Sequence, residues 1–156
     1  MRRSDREIKD LNQILNILSR CDTIRLGING GDYPYVVPLS FGFEVESKSI
    51  VFYTHGAKDG QKHDLIEKDN KVCVEASIFH KFVKMPNINA LTTEYESFIG
   101  FGRAEIISGQ GAIKGLDLIC EHAGFKGFEY DEEKALATTR IYKIIVDSFT
   151  GKRRFI

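Results

Sequence analysis

Between residues 35 and 45 every second side chain is apolar: Val37, Leu39, Phe41, Phe43 and Val45. A period of two places them on one face of an extended strand. Wound as a helix, the same residues would scatter around the axis and bury nothing together. The flanks agree. Residues 21–28 alternate in the same fashion, and Asn29-Gly30-Gly31-Asp32 between the two runs is a strong turn signal, so a hairpin is predicted. Glu46-Ser47-Lys48-Ser49 makes the next turn and leads into the apolar run Ile50-Val51-Phe52-Tyr53-Thr54.

Further strands are predicted over residues 72–76, 95–108 and 140–149. Gly100 and Gly102 in the second of these point to a bend, a bulge or a close approach. The total is about six strands, mostly joined by short turns, which implies antiparallel pairing. A sheet of that size avoids raw edges best by closing into a barrel. Helices are few. Ser4 and Glu7 have capping-box spacing, and Ile8, Leu11, Ile14, Leu15 and Leu18 recur at helical spacing, predicting a helix over 5–19. Shorter helices are predicted over 61–68, 110–123 (stopping at Gly124) and 131–138. Residues 79–93 read as irregular, because Pro86 disfavours a regular strand, and Gly151-Lys152-Arg153-Arg154 reads as a basic tail. The expectation is one mostly β domain over residues 1–156 with peripheral helices.

Composition narrows the function. With 22 basic and 22 acidic residues the chain lacks the basic excess of a nonspecific nucleic-acid binder. Cys21, Cys73 and Cys120 are far apart and form no CxxC pair, which argues against a zinc site and for small buried hydrophobes in a reducing cytosol. The charged N-terminus does not read as a signal peptide, and no apolar run approaches the roughly 20 residues of a membrane span. A soluble cytoplasmic protein is expected, with no nucleic-acid or membrane partner.

The segment that carries chemistry is His55-Gly56-Ala57-Lys58-Asp59-Gly60-Gln61-Lys62, between a strand and a helix. Glycines let backbone approach a ligand, helix-start amides point outward, and lysine supplies charge, a combination suited to an anion. A lysine in a first helical turn opposes the helix dipole, which favours a phosphate role for Lys62 over a merely solvated one. Pro38, lacking an N–H, fits either an edge strand or a site where neighbouring groups are freed for a ligand. His55 reads either as a loop histidine bonded to backbone or as a donor beside a bound ring. His63 reads as a solvated helix-face residue, and His80 and His122 have no metal-ligand spacing.

Several ordered pieces resemble the pyridoxamine 5′-phosphate oxidase-related FMN-binding split β-barrel family, most closely its nitroimidazole-resistance-like branch. They are Met1-Arg2-Arg3, Pro34-Tyr35-Val36-Val37-Pro38-Leu39-Ser40-Phe41-Gly42, residues 53–62, residues 95–104, and Thr150-Gly151-Lys152-Arg153. The resemblance implies a six-stranded antiparallel split barrel that forms a homodimer, with FMN at the subunit interface. Val36, Val37, Pro38, Leu39 and Ser40 would run along the flavin ring. His55, Gly56, Ala57, Lys58, Gly60 and Lys62 would wrap the phosphate, with Lys62 as main countercharge. Ser97 would bond near the cofactor, although its residue type alone suits a solvent-facing strand position. Arg2, Arg3 and the basic tail would reach the partner's site, or else simply be solvated termini. His55 would be the catalytic residue. True pyridoxamine phosphate oxidases use a basic, Leu-rich cofactor strand where this chain has residues 34–41, so no grip on pyridoxal phosphate is identified.

The implied activity is electron transfer from reduced FMN to a small planar acceptor such as a nitroaromatic of the 5-nitroimidazole kind. The alternatives are a haem-binding or haem-degrading split barrel with His55 or His122 as axial ligand, a flavin-binding module without turnover, and a cofactor-free dimeric barrel. No dinucleotide GxGxxG fingerprint is present to name the electron donor.

Overall fold

A computed structural model describes residues 3–156; the expectation for Arg2 lies outside them. A 3-10 turn (Ser4–Arg6) leads into β1 (Glu7–Ile8), α1 (Leu11–Ser19), β2 (Ile24–Ile28), β3 (Tyr35–Leu39), β4 (Phe41–Glu46) and β5 (Ser49–Ala57). Then come α2 (Gln61–Lys68), β6 (Lys71–Lys84), β7 (Leu91–Ile107), α3 (Gly109–His122), α4 (Glu132–Thr138) and β8 (Thr139–Arg154). All ladders are antiparallel, in the order β3-β2-β6-β7-β8-β5-β4, with β1 added beside β8.

The expected single strand over residues 35–45 is two strands. They meet at Ser40, yet β3 and β4 lie at opposite ends of the sheet order. One residue joins the two edges, so the sheet must roll until its margins meet there. No ladder runs between β3 and β4, and the roll stays unsealed. The period-two pattern survives the break: Leu39 and Phe41 are buried in the interior, with Val37 and Phe43 packed against it. Val45, at the far end of β4, is instead exposed.

Other departures from the sequence reading have local causes. Among the described residues there are eight strands where about six were expected. Asp10, not Ser4, caps α1, its side chain accepting from the Asn12 amide at 2.9 Å. Ile8 is thereby freed to enter the core as part of β1, opposite Gly151. Gly151 is therefore ladder, not tail: a Cβ there would lie 2.7 Å from Ile14 Cγ1, and its absence lets α1 pack on β8. Residues 79–84 and 91–93 continue β6 and β7 as a long hairpin arm. Pro86 falls in the connecting loop, where it removes no ladder bond. The irregularity predicted near the β7 glycines is present, as a register shift between Phe101 and Gly102.

The main core fills the rolled sheet, where Ile14, Ile17 and Leu18 of α1 meet Leu26, Phe52, Phe98, Ile144 and Val146. A second, smaller core lies outside it, where Val51 and Tyr53 of β5 meet Ile119 of α3. Gly42 sets that contact, since a Cβ on it would stand 2.6 Å from the Ile119 amide nitrogen. Among the described residues no helix is long and apolar enough to cross a membrane, and no three His, Cys, Asp or Glu side chains come together as a metal set.

Candidate functional site

The chemistry gathers where β5 ends and α2 begins. β5 alternates, so Ile50, Phe52 and Thr54 face the rolled interior while Val51, Tyr53 and His55 face α3. The chain turns through Lys58 and Asp59 to Gly60, whose φ of 141° is a conformation that side chains resist. α2 then starts with no side-chain cap; the His63 amide donates to the Gly60 carbonyl at 2.9 Å, which leaves the Gln61 and Lys62 amides for a ligand.

Lys62, in that first turn, bends back over Gly56. A Cβ at Gly56 would come within 3.3 Å of Lys62 Cε and closer still to the ammonium, so the glycine makes room for the lysine head. The ammonium also lies 5.4 Å from the Tyr142 ring centre. Among the described residues no carboxylate pairs with it. Burial, with nothing to offset it, pushes its pKa down. A half-buried cation without a counterion is poised to take an anion.

Among the described residues, four buried polar atoms near this bend have no partner: Thr54 Oγ1, Tyr142 OH, His63 Nδ1 and His55 Nδ1. Thr54 and Tyr142 face each other across the β5–β8 ladder, and the His63 ring stacks on Tyr142 at 5.5 Å. His63 Nε2 donates to the Ala57 carbonyl at 2.5 Å, which fixes its tautomer and turns Nδ1 into a free acceptor. Sequence reading placed His63 on a solvated face, but it is 3 % exposed. It and Tyr142 were missed as site residues. The available signal was that His63 and Ile66 share one helix face, three residues apart.

His55 occupies the opposite side of the strand. With Ser40, Ile119, Cys120, Phe125 and Phe128 it lines an apolar cavity of about 320 Å³, at the small end of ligand pockets. Burial first, and the nearby Lys62 second, pull the His55 pKa down, so its imidazole is neutral at pH 7.

The structure brings His55, Gly56, Ala57 and Lys62 together, with Gly60 setting the turn. Lys58 is exposed at its edge. Of the ring-strand candidates, Ser40 lines the His55 cavity, Val36 and Pro38 are exposed on the outer face, and Val37 and Leu39 point into the core. Because β3 is a sheet edge, Pro38 also fits the plain edge-strand reading. Ser97 lies apart. On β8, His55 pairs with Ile141 and Ser97 with Lys152. Eleven residues at about 3.3 Å each make a path of roughly 35 Å along β8 between those two positions.

The rolled, unsealed antiparallel sheet defines a protein of the split-barrel class. A family model described as pyridoxamine 5′-phosphate oxidase matches residues 10–153, and the chain belongs to that family, in its nitroimidazole-resistance-like branch. A structure described as a candidate 5-nitroimidazole antibiotic resistance protein from Bacteroides thetaiotaomicron VPI-5482 is 30% identical. The match has a TM-score of 0.80 and covers 94% of this chain and 86% of that one. The flavocytochrome Anf3 from Azotobacter vinelandii shares the fold at 19% identity, with a TM-score of 0.80 over 100% of this chain and 72% of that one. So does a FAD- and haem-binding protein from Mycobacterium smegmatis, at 16% identity and a TM-score of 0.79 over 95% and 73%. No curated protein matches the chain significantly.

Proposed function

We propose that this protein binds FMN at the β5–α2 bend and passes electrons from it to a small planar acceptor, acting as a homodimer. The observation that carries the reading is the unpaired Lys62 among four orphaned polar atoms, beside an uncapped helix start. A phosphate there gives Lys62 its counterion and the Gln61 and Lys62 amides at the start of α2 their acceptor. The groups present fit: a cation, open amides and free hydroxyls suit an oxygen-rich tail, and the apolar cavity on the other side of β5 suits a planar ring. Bound FMN would supply two-electron transfer at its N5.

The chain's own residues divide the remaining work. Ser40 and the open edge of β3 present polar groups to a ring edge, while Phe125 and Phe128 keep water from the cavity. His55 is neutral, and its unpartnered nitrogen can orient an acceptor or hand over a proton. The name of the 30% identical relative supports a nitroaromatic as that acceptor.

The dimer is supported by the outer sheet face. Val36, Gly27, Cys73 and Phe101 form one row across four strands, and Val36 and Phe101 are 60% and 58% exposed. Apolar rows of this kind mark interaction surfaces. Ser97 shares that face, so any contact it makes with the cofactor has to be across the dimer. For haem the support is thinner: the His122 imidazole donates to the Cys21 carbonyl at 2.8 Å and packs 4.2 Å from the Phe41 ring.

The deciding experiment is the visible spectrum of purified protein, followed by titration with FMN. Flavin absorption or saturable FMN binding is expected. A Soret band, or no uptake of FMN at saturation, overturns the reading.

A further inference from the structure

Between α3 and α4 the chain forms a short strap, residues 124–130, beside the His55 cavity. Gly124, with a φ of 88°, turns the chain out of α3. The Phe125 amide donates back to the Cys120 carbonyl at 2.9 Å, and the Phe128 amide to the Phe125 carbonyl at 3.2 Å. The other end of the strap is fastened to α3 by Tyr130, whose hydroxyl donates to Asp117 Oδ1 at 3.0 Å. Phe128 stacks on Tyr130, with ring centres 6.4 Å and planes 19° apart, and meets Phe125 edge-on at 6.2 Å. Phe125 and Phe128 are 63% and 56% exposed, and neither belongs to either core. Two large rings held at a cavity wall, adding little to the fold, have another use there.

Phe128 is also a partition. On one side lies the His55 cavity. On the other, past Cys120, a second cavity of about 340 Å³ holds Asp117, Glu121 and Lys126. Those charges answer their own neighbours: Asp117 accepts from Tyr130, and Glu121 pairs with Lys126 at 3.0 Å. None of them lines the His55 side. There, burial first and Asp117 second push the Cys120 thiol pKa up, and the His55 imidazole is neutral, so the walls present no charge. An ion entering this space would lose its water and gain no partner. Besides that thiol, the polar side chains are Ser40 and His55, and His55 Nδ1 is buried without a partner among the described residues. Under the proposed function Ser40 serves the flavin edge, which leaves His55 to the acceptor.

At about 320 Å³ the cavity favours a small ligand, and phenyl rings favour a flat one. We infer that Phe125 and Phe128 select the acceptor, admitting an uncharged small aromatic that packs on their rings and turns its polar edge to His55. As the choice of an electron acceptor this rests on the proposed flavin reaction; as a binding site it does not.

The test is calorimetric titration of the whole protein, with and without FMN, using para-nitrobenzyl alcohol and para-nitrobenzoate, which share a ring and differ in charge. The proteins are the parent, Lys62→Ala, Phe125→Ala, Phe128→Ala and Phe128→Tyr, the last keeping the ring as a control for folding. Support is saturable binding of the alcohol that exceeds the benzoate by about tenfold or more, survives Lys62→Ala and falls about fivefold or more in each alanine variant, with recovery in Phe128→Tyr. Equal affinity for the two probes overturns the inference. So do alanine variants that bind like the parent, and so does absence of saturable binding. Selective binding of the alcohol by a protein that takes up no FMN would defeat the flavin reading and leave the aromatic site standing; FMN uptake without binding of the alcohol would do the reverse.

Discussion

The two ends of β8 both hold buried polar groups, but they treat them oppositely. At the far end the buried carboxylates are answered from within. Glu96 accepts from Arg20 at 2.7 Å and from His80 at 3.1 Å, and Glu94 accepts from the Ile156 amide at 2.9 Å with Lys81 at 3.4 Å. At the near end, among the described residues, Thr54, Tyr142, His63 and His55 each keep an atom unanswered, and Lys62 has no counterion. Buried polar groups in native proteins are nearly always bonded, so a cluster of exceptions marks where a partner from outside belongs. Glu96 and Glu94 therefore belong to the fold, whereas under the proposed function the bend around Lys62 belongs to a ligand.

That contrast predicts different responses to substitution. The largest effect is expected at the near end, on binding. Lys62→Ala removes one charged hydrogen bond and should weaken FMN binding by about 1.5–3 kcal/mol, or roughly ten- to a hundredfold, in a fluorescence titration. Unchanged affinity would take Lys62 out of the site. At the far end the effect should fall on stability: Glu96→Gln should cost about 1–2 kcal/mol in urea unfolding and leave FMN binding alone.

The acid limb gives a further readout. Burial by itself would raise the Glu96 carboxyl, but Arg20 and His80 hold it below its ordinary value. A lowered folded pKa contributes stability present above the usual carboxylate range and lost as pH falls through the lowered value. Glu96→Gln should flatten that limb, and an acid profile identical to the parent's would show that the pair does not stabilise the fold.

Tyr142→Phe sets the two ends against each other directly. The hydroxyl it removes has no partner, so without ligand stability should stay level or rise by up to about 1 kcal/mol, while FMN binding weakens. A clear loss of stability without ligand would mean that the hydroxyl is answered within the fold, as at Glu96.

The smallest effect is on the His55 titration. Burial and Lys62 lower its pKa, so the folded state favours neutral imidazole, and stability declines as pH falls below the unfolded value of about 6.5. Lys62→Ala removes the charge part and should raise the His55 pKa in an NMR titration, leaving the burial part. No shift would separate the two side chains.

Much of this was legible in the chain. The alternation at Val37, Leu39, Phe41 and Phe43 fixed an antiparallel sheet with one buried face, because a pleated strand allows no other placement of those side chains. The order glycine, lysine, glycine, lysine between strand and helix pointed to the bend that the proposed function gives to an anion, because open helix amides and a dipole-opposed lysine both ask for negative charge. What remained hidden depended on distance through space. Nothing local says that residues 39 and 41 end on opposite margins of one sheet, since that follows only from the ladders β2, β6, β7, β8 and β5 form between them. Nothing local makes Tyr142 a neighbour of Lys62, or sets Ser97 roughly 35 Å from His55 along β8. The pattern of side chains along a strand is a property of sequence. Which strand lies beside it, and which polar atoms that neighbour leaves without a bond, is decided only when the sheet rolls.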